Sequence, residues 1–316
     1  MKLAPIILFV YNRPGHTEQT LEALHLNEYA SESVLYIYSD GLKEEASEES
    51  KKNVEAVRTT IRKKQWCKEV IIVERTENYG LAKSVIEGVS EVIIRHENVI
   101  VLEDDLITAS YFLKYMNEGL QLYEDDKQVY GVTGYKFPSS KEIKDQTYFL
   151  PISCSWSFGT WADRWNTINF DAEVLLKKID ANKLQKKLNF GGYPFYEMLK
   201  DQCTGRVNSW AILFYTSMFL ENGYFLFPNR TLVENIGFDN SGTHYTDENY
   251  FKKEGKQTSE IIVNKLNVRL TKEAVDLIKG RFETEHLKPN QSNRSSSLIS
   301  KLVRKGKRKI KKLLRN

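Results

Sequence analysis

Residues 99–106 read VIVLEDDL, four apolar residues that run straight into three consecutive carboxylates. Because the apolar run is continuous rather than alternating, it predicts a central strand that is covered on both faces of a sheet. The acids then fall at the carboxyl end of the strand, where open α/β sheets bind ligands. Three adjacent carboxylates repel one another, and their hard oxygen atoms suit Mg²⁺ or Mn²⁺. The stretch therefore predicts a metal site; a solvated acidic turn after a buried strand is the simpler alternative.

The sequence before this stretch alternates between apolar runs and amphipathic segments. Strands are predicted at Ile6–Tyr11, Val34–Tyr38 and Val70–Val73, and helices at Thr17–Leu26, Val54–Lys64 and Ala82–Ile94. Such a β-α-β rhythm predicts parallel strands with right-handed crossovers. Each predicted strand ends in polar or glycine residues, which gather along one edge of the sheet. Neither a G-x-G-x-x-G nor a G-x-x-x-x-G-K-[ST] motif is present, so a dinucleotide site or a P-loop is not indicated.

The second part of the chain is less regular. Helices are predicted at Tyr111–Tyr123, Asp171–Leu188 and Ala211–Leu220, and strands at Val129–Gly134 and Tyr224–Phe227. The segment 149–165 is rich in aromatic side chains, among them Trp156, Phe158, Trp161 and Trp165. Two interpretations stay open for this cluster: a second small core, or a platform on which the apolar faces of sugars stack.

The composition of the 316-residue chain is that of a globular protein, with 41% hydrophobic and 28% charged residues. Its length suits one large α/β domain or two small ones. No apolar run reaches the roughly 20 residues needed to span a bilayer, and the first residues lead directly into a strand, so no signal peptide is expected. The three cysteines, Cys67, Cys154 and Cys203, are widely spaced, and we expect them to be reduced cytosolic thiols.

Charge is distributed unevenly along the chain. From Arg294 onward there are ten basic residues and no acidic one, so the net charge of +4 leaves −6 on the rest of the chain. The acidic body gives no indication of a specific nucleic-acid partner. Between Ser297 and Asn316, apolar residues recur at spacings of three, four and seven, opposite a face of lysine and arginine. This pattern predicts a basic amphipathic helix that lies on an anionic membrane surface, and hence a cytoplasmic protein at the inner face of the cytoplasmic membrane; a disordered basic tail is the alternative.

Five short motifs occur in a set order: FVYNRP at 9–14, SDG at 39–41, NYGL at 78–81, VLEDD at 101–105, and PNRT at 228–231 with the segment 237–244. In these motifs the chain resembles GT-A-fold glycosyltransferases, above all bacterial family-2-like sugar transferases and the N-acetylglucosaminyltransferase I family. The likeness covers most of residues 1–245. It implies an α/β, Rossmann-like GT-A fold with a mostly parallel sheet flanked by helices, which the basic amphipathic tail would follow.

The resemblance also implies a donor-binding set along the edge of the sheet: Asn12, Arg13, Asp40, Asn78, Gly80, Lys83 and Asp104. Within this set Asp40 would meet the uracil or ribose, and Asp104 the ribose or the donor sugar. The metal, Mn²⁺ or Mg²⁺, would be bound by Asp105 and His244. Simpler roles stay open for several of these residues: an ordinary turn for Asp40, a helix cap for Asn78, a solvated side chain for Lys83 or His244, and a surface ion pair for Arg13.

The chain departs from the family pattern at the general base, which inverting transferases need to take the proton of the acceptor hydroxyl. Relatives carry an aspartate just before a Trp-led helix, where this chain has Asn208 followed by Ser209 and a tryptophan. An amide cannot act as a carboxylate base, so another acid serves, the correspondence is shifted, or catalysis is impaired. The candidate catalytic acids are Asp201, Asp239 and Glu103, with Glu197 as a further nearby carboxylate. Ser209 is expected to cap the helix that follows it.

The sequence therefore predicts a metal-dependent, inverting glycosyltransferase. It would move a hexosyl or N-acetylhexosaminyl group from a nucleotide-diphospho-sugar, expected to be a UDP-sugar, to a glycan or lipid-linked acceptor in surface polysaccharide synthesis. Residues 1–130 would form the half that binds the nucleotide-sugar, 131–290 the acceptor-side half of the same domain, and 291–316 the linker and tail. One alternative is a nucleotidyltransferase that makes sugar nucleotides, for which the loop 12–15 is short. The other is a non-catalytic carbohydrate-binding scaffold, which Asn208 favours.

Overall fold

A computed structural model describes residues 2–139, 141–239 and 259–278 of the chain. The first elements are β1 (Ile6–Val10), α1 (Pro14–His25), β2 (Val34–Ser39), α2 (Glu48–Thr60), β3 (Glu69–Glu74), α3 (Gly80–His96), β4 (Asn98–Glu103), β5 (Leu106–Thr108) and α4 (Phe112–Leu122). They are followed by β6 (Val129–Thr133), β7 (Thr147–Leu150), β8 (Phe158–Trp161), α5 (Ala162–Trp165), α6 (Ala172–Ala181), α7 (Gln185–Leu188), α8 (Phe195–Cys203), α9 (Trp210–Leu220), β9 (Tyr224–Pro228), β10 (Val233–Asn235) and α10 (Lys272–Ile278). Short 3₁₀ turns are formed by Ala30–Glu32 and Phe190–Gly192.

An eight-stranded sheet with the order β3-β2-β1-β4-β8-β6-β9-β7 forms the centre of the fold. The strands β3, β2, β1 and β4 are parallel to one another, as the β-α-β rhythm predicted. Strands β8 and β7 run opposite to the other six, whereas β6 and β9 are parallel. Strands β5 and β10 pair in a separate antiparallel ribbon. The structure confirms the predicted α/β class with a mostly parallel sheet flanked by helices.

Strand β4 is the strand that the apolar run predicted. The side chains from Val99 to Leu102 are at most 2% exposed, and β4 lies between β1 and β8 in the sheet. Its last residue, Glu103, pairs with Phe9 near the end of β1. Because β1, β2 and β4 are parallel, their carboxyl ends meet at one edge of the sheet. The three acids therefore begin at that edge, next to the loops that follow β1 and β2.

Several element bounds differ from the sequence prediction for local reasons. Helix α2 begins at Glu48, well before the predicted start at Val54, because the Ser47 hydroxyl accepts a hydrogen bond from the N–H of Ser50 and two glutamates occupy the first turn. The helical segment predicted at 171–188 is interrupted between α6 and α7, where Lys183 has a φ of 56°. The strands β5, β7, β8 and β10 were not predicted, since runs of three or four residues are too short to show a period.

The aromatic segment 149–165 is mainly part of the core. Phe158, Trp161 and Trp165 are at most 3% exposed, and the ring of Phe158 lies 5.2 Å from that of Trp210. For these three side chains the sugar-platform interpretation is wrong. Trp156 keeps part of its surface and packs near the candidate site described below.

The cysteines are free thiols, as expected from their spacing, and Cys67 and Cys154 are buried. No helix in the described ranges has both the length and the apolar character needed to cross a membrane. The candidate ligand His244 and the basic tail 291–316 lie outside the described residues.

Candidate functional site

One arginine meets the acids at the end of β4. Arg13, in the connection between β1 and α1, contacts Asp104 Oδ1 and Asp105 Oδ2 through a single atom, Nη2. The distance from Nη2 to the Asp105 oxygen is 2.9 Å. The three side chains are at most 19% exposed. The interpretation as a solvated acidic turn is therefore wrong, and Arg13 pairs with the acids of the sheet edge rather than with a surface acid.

Burial changes the acid–base properties of this cluster. Burial, followed by the charges of Asp105 and Asp104, raises the pKa of Glu103 to about 8. Burial also raises the pKa of Asp104 to about 6, although the charge of Arg13 acts in the opposite direction. For Arg13, burial disfavours the charged form, but the two aspartates outweigh it and raise the pKa. Burial and the neighbouring acids therefore favour the protonated form of Glu103, whereas the two aspartates favour the charged form of Arg13.

The start of α1 fixes Arg13 in this position. The backbone carbonyl of Arg13 accepts hydrogen bonds from both the N–H and the hydroxyl of Thr17, each 2.9 Å long. One turn later, the Thr20 hydroxyl donates to the backbone carbonyl of Asp104 over 2.8 Å. Asn12, also predicted to face the donor, donates through Nδ2 to the Ser50 hydroxyl at 3.4 Å. The loop after β1 is thereby tied to β4 on one side and to α2 on the other.

Asp40 anchors the loop that precedes α3. Its Oδ1 accepts hydrogen bonds from the backbone N–H groups of Gly41 at 3.0 Å and Tyr79 at 2.9 Å. Its Oδ2 accepts from the N–H of Gly80 at 2.9 Å and from Nδ2 of Asn78 at 3.0 Å. Asn78 is therefore bonded to Asp40 and does not cap α3. A contact of Asp40, Asn78 or Gly80 with a nucleotide stays a prediction.

Two positive charges lie over the ring of Tyr79 beside this loop. The guanidinium carbon of Arg75 lies 4.0 Å from the ring centroid and Nζ of Lys83 lies 3.8 Å from it. Both cations also approach Glu87, at 3.4 Å for Arg75 and 3.8 Å for Lys83. The Lys83 side chain is 56% exposed, so it is positioned by Tyr79 and Glu87 and still open to an anionic ligand.

A segment that we call the strap, residues 233–239, runs past the acids. It begins as β10, which pairs with β5 just after the acids, and the N–H of Ile236 then donates to the backbone carbonyl of Asp105 over 2.9 Å. Gly237 lies directly against the Asp105 carboxylate, because a Cβ built at this glycine would overlap it. The strap therefore covers one side of Asp105, and a larger residue at position 237 would have to displace the carboxylate or the strap.

The candidate catalytic acids occupy different surroundings. Asp239, at the end of the strap, contacts His16 of α1, with 3.2 Å between Oδ2 and Nε2. Asp201 lies in α8 and forms an ion pair with Arg206 over 2.6 Å. The strap and α1 bring Asp239 to the side of the sheet edge that holds the acids, whereas α8 packs on other helices of the second half. The catalytic roles stay predictions.

A cleft of about 300 Å³ lies between α3 and the start of α9. The polar and aromatic residues among its lining are Lys83, Glu87, Phe170, Gln202, Asn208 and Trp210. Ser209 caps α9 as expected, since its hydroxyl accepts a hydrogen bond from the N–H of Ile212 at 3.4 Å. Asn208, the residue where the resemblance expects an acid, therefore opens onto the same cleft as Lys83.

The fit of a metal ion to these residues is partial. Among the residues that the structure describes, no three His, Cys, Asp or Glu side chains are arranged to hold one ion. Two carboxylates do converge, however, and Oδ1 of Asp105 is buried without a hydrogen-bond partner within the described ranges. A buried, unpaired carboxylate oxygen suits a hard cation. This oxygen of Asp105 would therefore be available as a ligand to a divalent cation.

Two titratable residues of this region were missed by sequence reasoning. His16, in the first turn of α1, contacts Asp239, and its place three residues after Arg13 was available as a signal. Lys136 is 7% exposed just beyond the carboxyl end of β6, and nothing in its sequence context marks it. Trp156 packs on Phe238 of the strap, with ring centroids 5.4 Å apart.

No protein-family model matches this chain, and no curated protein matches it. Similar solved structures include a mannosyltransferase from Pyrobaculum calidifontis in complex with GDP-Man and Mn²⁺, 13% identical over 69% of this chain and 74% of that chain, with a TM-score of 0.38. S. aureus TarS is 11% identical over 75% of this chain and 37% of that chain, with a TM-score of 0.37. A UDP-glucose pyrophosphorylase complexed with UDP-glucose is 13% identical over 72% of this chain and 90% of that chain, with a TM-score of 0.35. Similarity this low does not establish an activity.

Proposed function

We propose that the chain is a glycosyltransferase that uses a nucleotide-diphospho-sugar, expected to be a UDP-sugar. The observation that carries this proposal is the buried contact of Arg13 with Asp104 and Asp105 at the carboxyl edge of a mostly parallel sheet. Ligands of α/β sheets bind at this edge. The order of the sequence motifs, from the loop after β1 to the strap, supports the same activity.

The donor would lie across the loops after β1, β2 and β4. Asp40 holds the 78–80 loop in place through three hydrogen bonds. A diphosphate carries negative charge, which the guanidinium of Arg13 and the exposed ammonium of Lys83 would complement. Arg13 lies in the β1–α1 connection and Lys83 in the first turn of α3, which follows β3.

We propose Mn²⁺ or Mg²⁺ as the metal, with Asp105 as the protein ligand. When bound, such an ion neutralises charge that develops on the leaving diphosphate. The unpaired Oδ1 of Asp105 supports this assignment. His244 remains a proposed second ligand from the sequence alone.

An inverting transfer needs a general base, and we favour Asp239 over Asp201. Asp239 lies on the strap that contacts Asp105, and its partner His16 belongs to the same helix as Thr20, which bonds Asp104. The contact with His16 orients the Asp239 carboxylate. Asp201 of α8, by contrast, forms an ion pair with Arg206.

The acceptor is proposed to enter the cleft between α3 and α9. Its volume suits a sugar ring, and the amides of Gln202 and Asn208 offer polar contacts that sugars use. A glycan or lipid-linked saccharide is the expected acceptor class. The basic tail, whose sequence pattern predicts docking on an anionic membrane, would place the enzyme at the inner face of the cytoplasmic membrane.

Calorimetric titration with UDP and UDP-sugars in the presence of Mn²⁺ tests the proposal. Wild type is expected to bind UDP, and Asp105→Ala is expected to lose most of this affinity while it keeps its fold, which circular dichroism checks. The matched control is Asp125→Ala, because Asp125 is an exposed aspartate in the α4–β6 turn. Unchanged UDP affinity in Asp105→Ala would contradict the assignment of the site.

Turnover assays separate the alternatives. Slow hydrolysis of a UDP-sugar without acceptor supports a transferase, and its absence together with intact sugar binding favours a non-catalytic scaffold. Release of pyrophosphate from UTP and a sugar phosphate would identify a nucleotidyltransferase. The β1–α1 connection of only Tyr11, Asn12 and Arg13 is short for the phosphate loop of such an enzyme.

A further inference from the structure

Arg13 occupies a position between two carboxylates. A single nitrogen, Nη2, contacts an oxygen of Asp104 and an oxygen of Asp105. The guanidinium therefore neutralises the pair with the positive charge that a bound cation would otherwise supply.

The surroundings leave this contact little freedom. The backbone of Arg13 is bonded to Thr17, and Asp104 is bonded through its carbonyl to Thr20, so α1 and β4 are held together on both sides of the ion pair. The strap closes the other side, because Gly237 lies against the Asp105 carboxylate. In so confined a space, a second cation between the aspartates would repel the guanidinium strongly.

One oxygen of the Asp104–Asp105 pair lacks a hydrogen-bond partner among the described residues. Oδ1 of Asp105 is buried and has no hydrogen-bond partner in the described parts of the chain. An anionic oxygen in this state is costly unless a ligand satisfies it. It points to a cation at Asp105, and such a cation would share one carboxylate with Arg13, which contacts Oδ2, so the two positive charges would repel each other.

We propose that Arg13 is the resident counter-ion of the Asp104–Asp105 pair, and that a divalent cation binds there only by displacing its guanidinium. The inference rests on the proposed function, because it takes the metal to be Mn²⁺ or Mg²⁺. Arg13 then has two roles: it keeps two buried carboxylates paired before the metal arrives, and once released it is free to pair with a diphosphate. The metal ion and the Arg13 guanidinium compete for the same two carboxylates instead of binding them together.

The test measures binding of Mn²⁺ alone, without nucleotide, by calorimetry on the full chain. Arg13→Gln removes the competing charge and is expected to bind Mn²⁺ at least tenfold more tightly than wild type. The control Lys51→Gln removes one exposed positive charge from α2, next to the Ser50 that contacts Asn12. It is expected to change Mn²⁺ affinity less than twofold, which separates local displacement from a general change in charge.

Thermal unfolding supplies the second measurement. In EDTA, Arg13→Gln is expected to melt below wild type, because two buried carboxylates lose their partner. Addition of Mn²⁺ is expected to raise the melting temperature of Arg13→Gln more than that of wild type, since a ligand stabilises according to its affinity for the folded state. An Mn²⁺ affinity of Arg13→Gln equal to or weaker than that of wild type, or no Mn²⁺ binding by either protein, would overturn the proposal.

A measurement on wild type covers the case in which Arg13→Gln does not fold. In ¹H–¹⁵N spectra of arginine side chains, the Arg13 signal is identified by its loss in Arg13→Lys. Titration with Mg²⁺ alone is expected to shift or broaden this signal as the ion pair opens. A signal that stays unchanged while Mg²⁺ saturates the protein would refute displacement. Binding and hydrolysis of UDP-sugars are scored separately, so the inference can fail while the proposed function stands, and the reverse.

Discussion

Asp40 is expected to be one of the largest single contributors to the stability of the site. It receives four hydrogen bonds, and three of them come from residues 78–80, which belong to the loop after the neighbouring strand. Asp40→Ala would leave the N–H groups of Tyr79 and Gly80 without their acceptor. A hydrogen bond to a charged group contributes about 1.5–3 kcal/mol. Two such losses, reduced by water that enters the loop, give an expected cost of about 3 kcal/mol.

The more informative variant is Asp40→Asn, which keeps the shape of the side chain. Each oxygen of Asp40 faces two donors, so in either orientation the NH₂ group of an asparagine would face two N–H groups. We therefore expect Asp40→Asn to be about as unstable as Asp40→Ala. For a chain of 316 residues, a loss of about 3 kcal/mol lowers the melting temperature by roughly 4–5 °C.

The assay combines thermal unfolding with amide hydrogen exchange. The N–H groups of Tyr79 and Gly80 are expected to lose protection against hydrogen exchange in both Asp40 variants. The exposed control Asp125→Asn is expected to have the melting temperature of wild type. If Asp40→Asn also melts with wild type and both amides stay protected, the carboxylate does not anchor this loop and the reasoning is refuted.

Three further predictions concern the acids and the strap. Burial raises the pKa of Glu103 in the folded protein from 4.5 to about 8. The stability that Glu103 contributes is therefore present below pH 4.5 and is lost as the pH rises through the folded-state pKa. As the pH rises from 5 to 8 in EDTA, Glu103→Gln is therefore expected to become more stable relative to wild type, as measured by urea denaturation. A difference in the free energy of unfolding that stays constant over this range would contradict the raised pKa of Glu103. Gly237→Ala is expected to displace the strap and to weaken UDP binding, whereas Gly15→Ala, where a Cβ meets no atom within 4 Å, leaves binding unchanged; equal UDP affinities in the two variants would count against the close approach. Asp239→Asn is expected to lower the turnover of a UDP-sugar at least a hundredfold and Asp201→Asn to lower it little, and the opposite order would move the base to α8.

The sequence by itself determined the first half of the fold. Continuous apolar runs at 6–11, 34–38 and 99–102 correspond to β1, β2 and β4, because a strand buried on both faces must be apolar at every position. Parallel strands joined by helices place their carboxyl ends at one edge. The sequence therefore also predicted that Asp40 and the acids 103–105 follow strands at a common edge. Local chemistry was enough for these conclusions.

The partners of these residues were decided only by the tertiary structure. The ion pair of Arg13 with Asp104 and Asp105 joins residues about ninety positions apart, and the bonds from Asn78 to Asp40 span a whole helix. Gly237 of the strap lies against Asp105, and Asp239 contacts His16 of α1. Both contacts join residues that are far apart in the sequence. Sequence periodicity reports which face of an element is buried, but not which distant side chain meets it. The pairing of charges and the close approach of Gly237 depend on how the elements pack, and packing is a property of the whole chain.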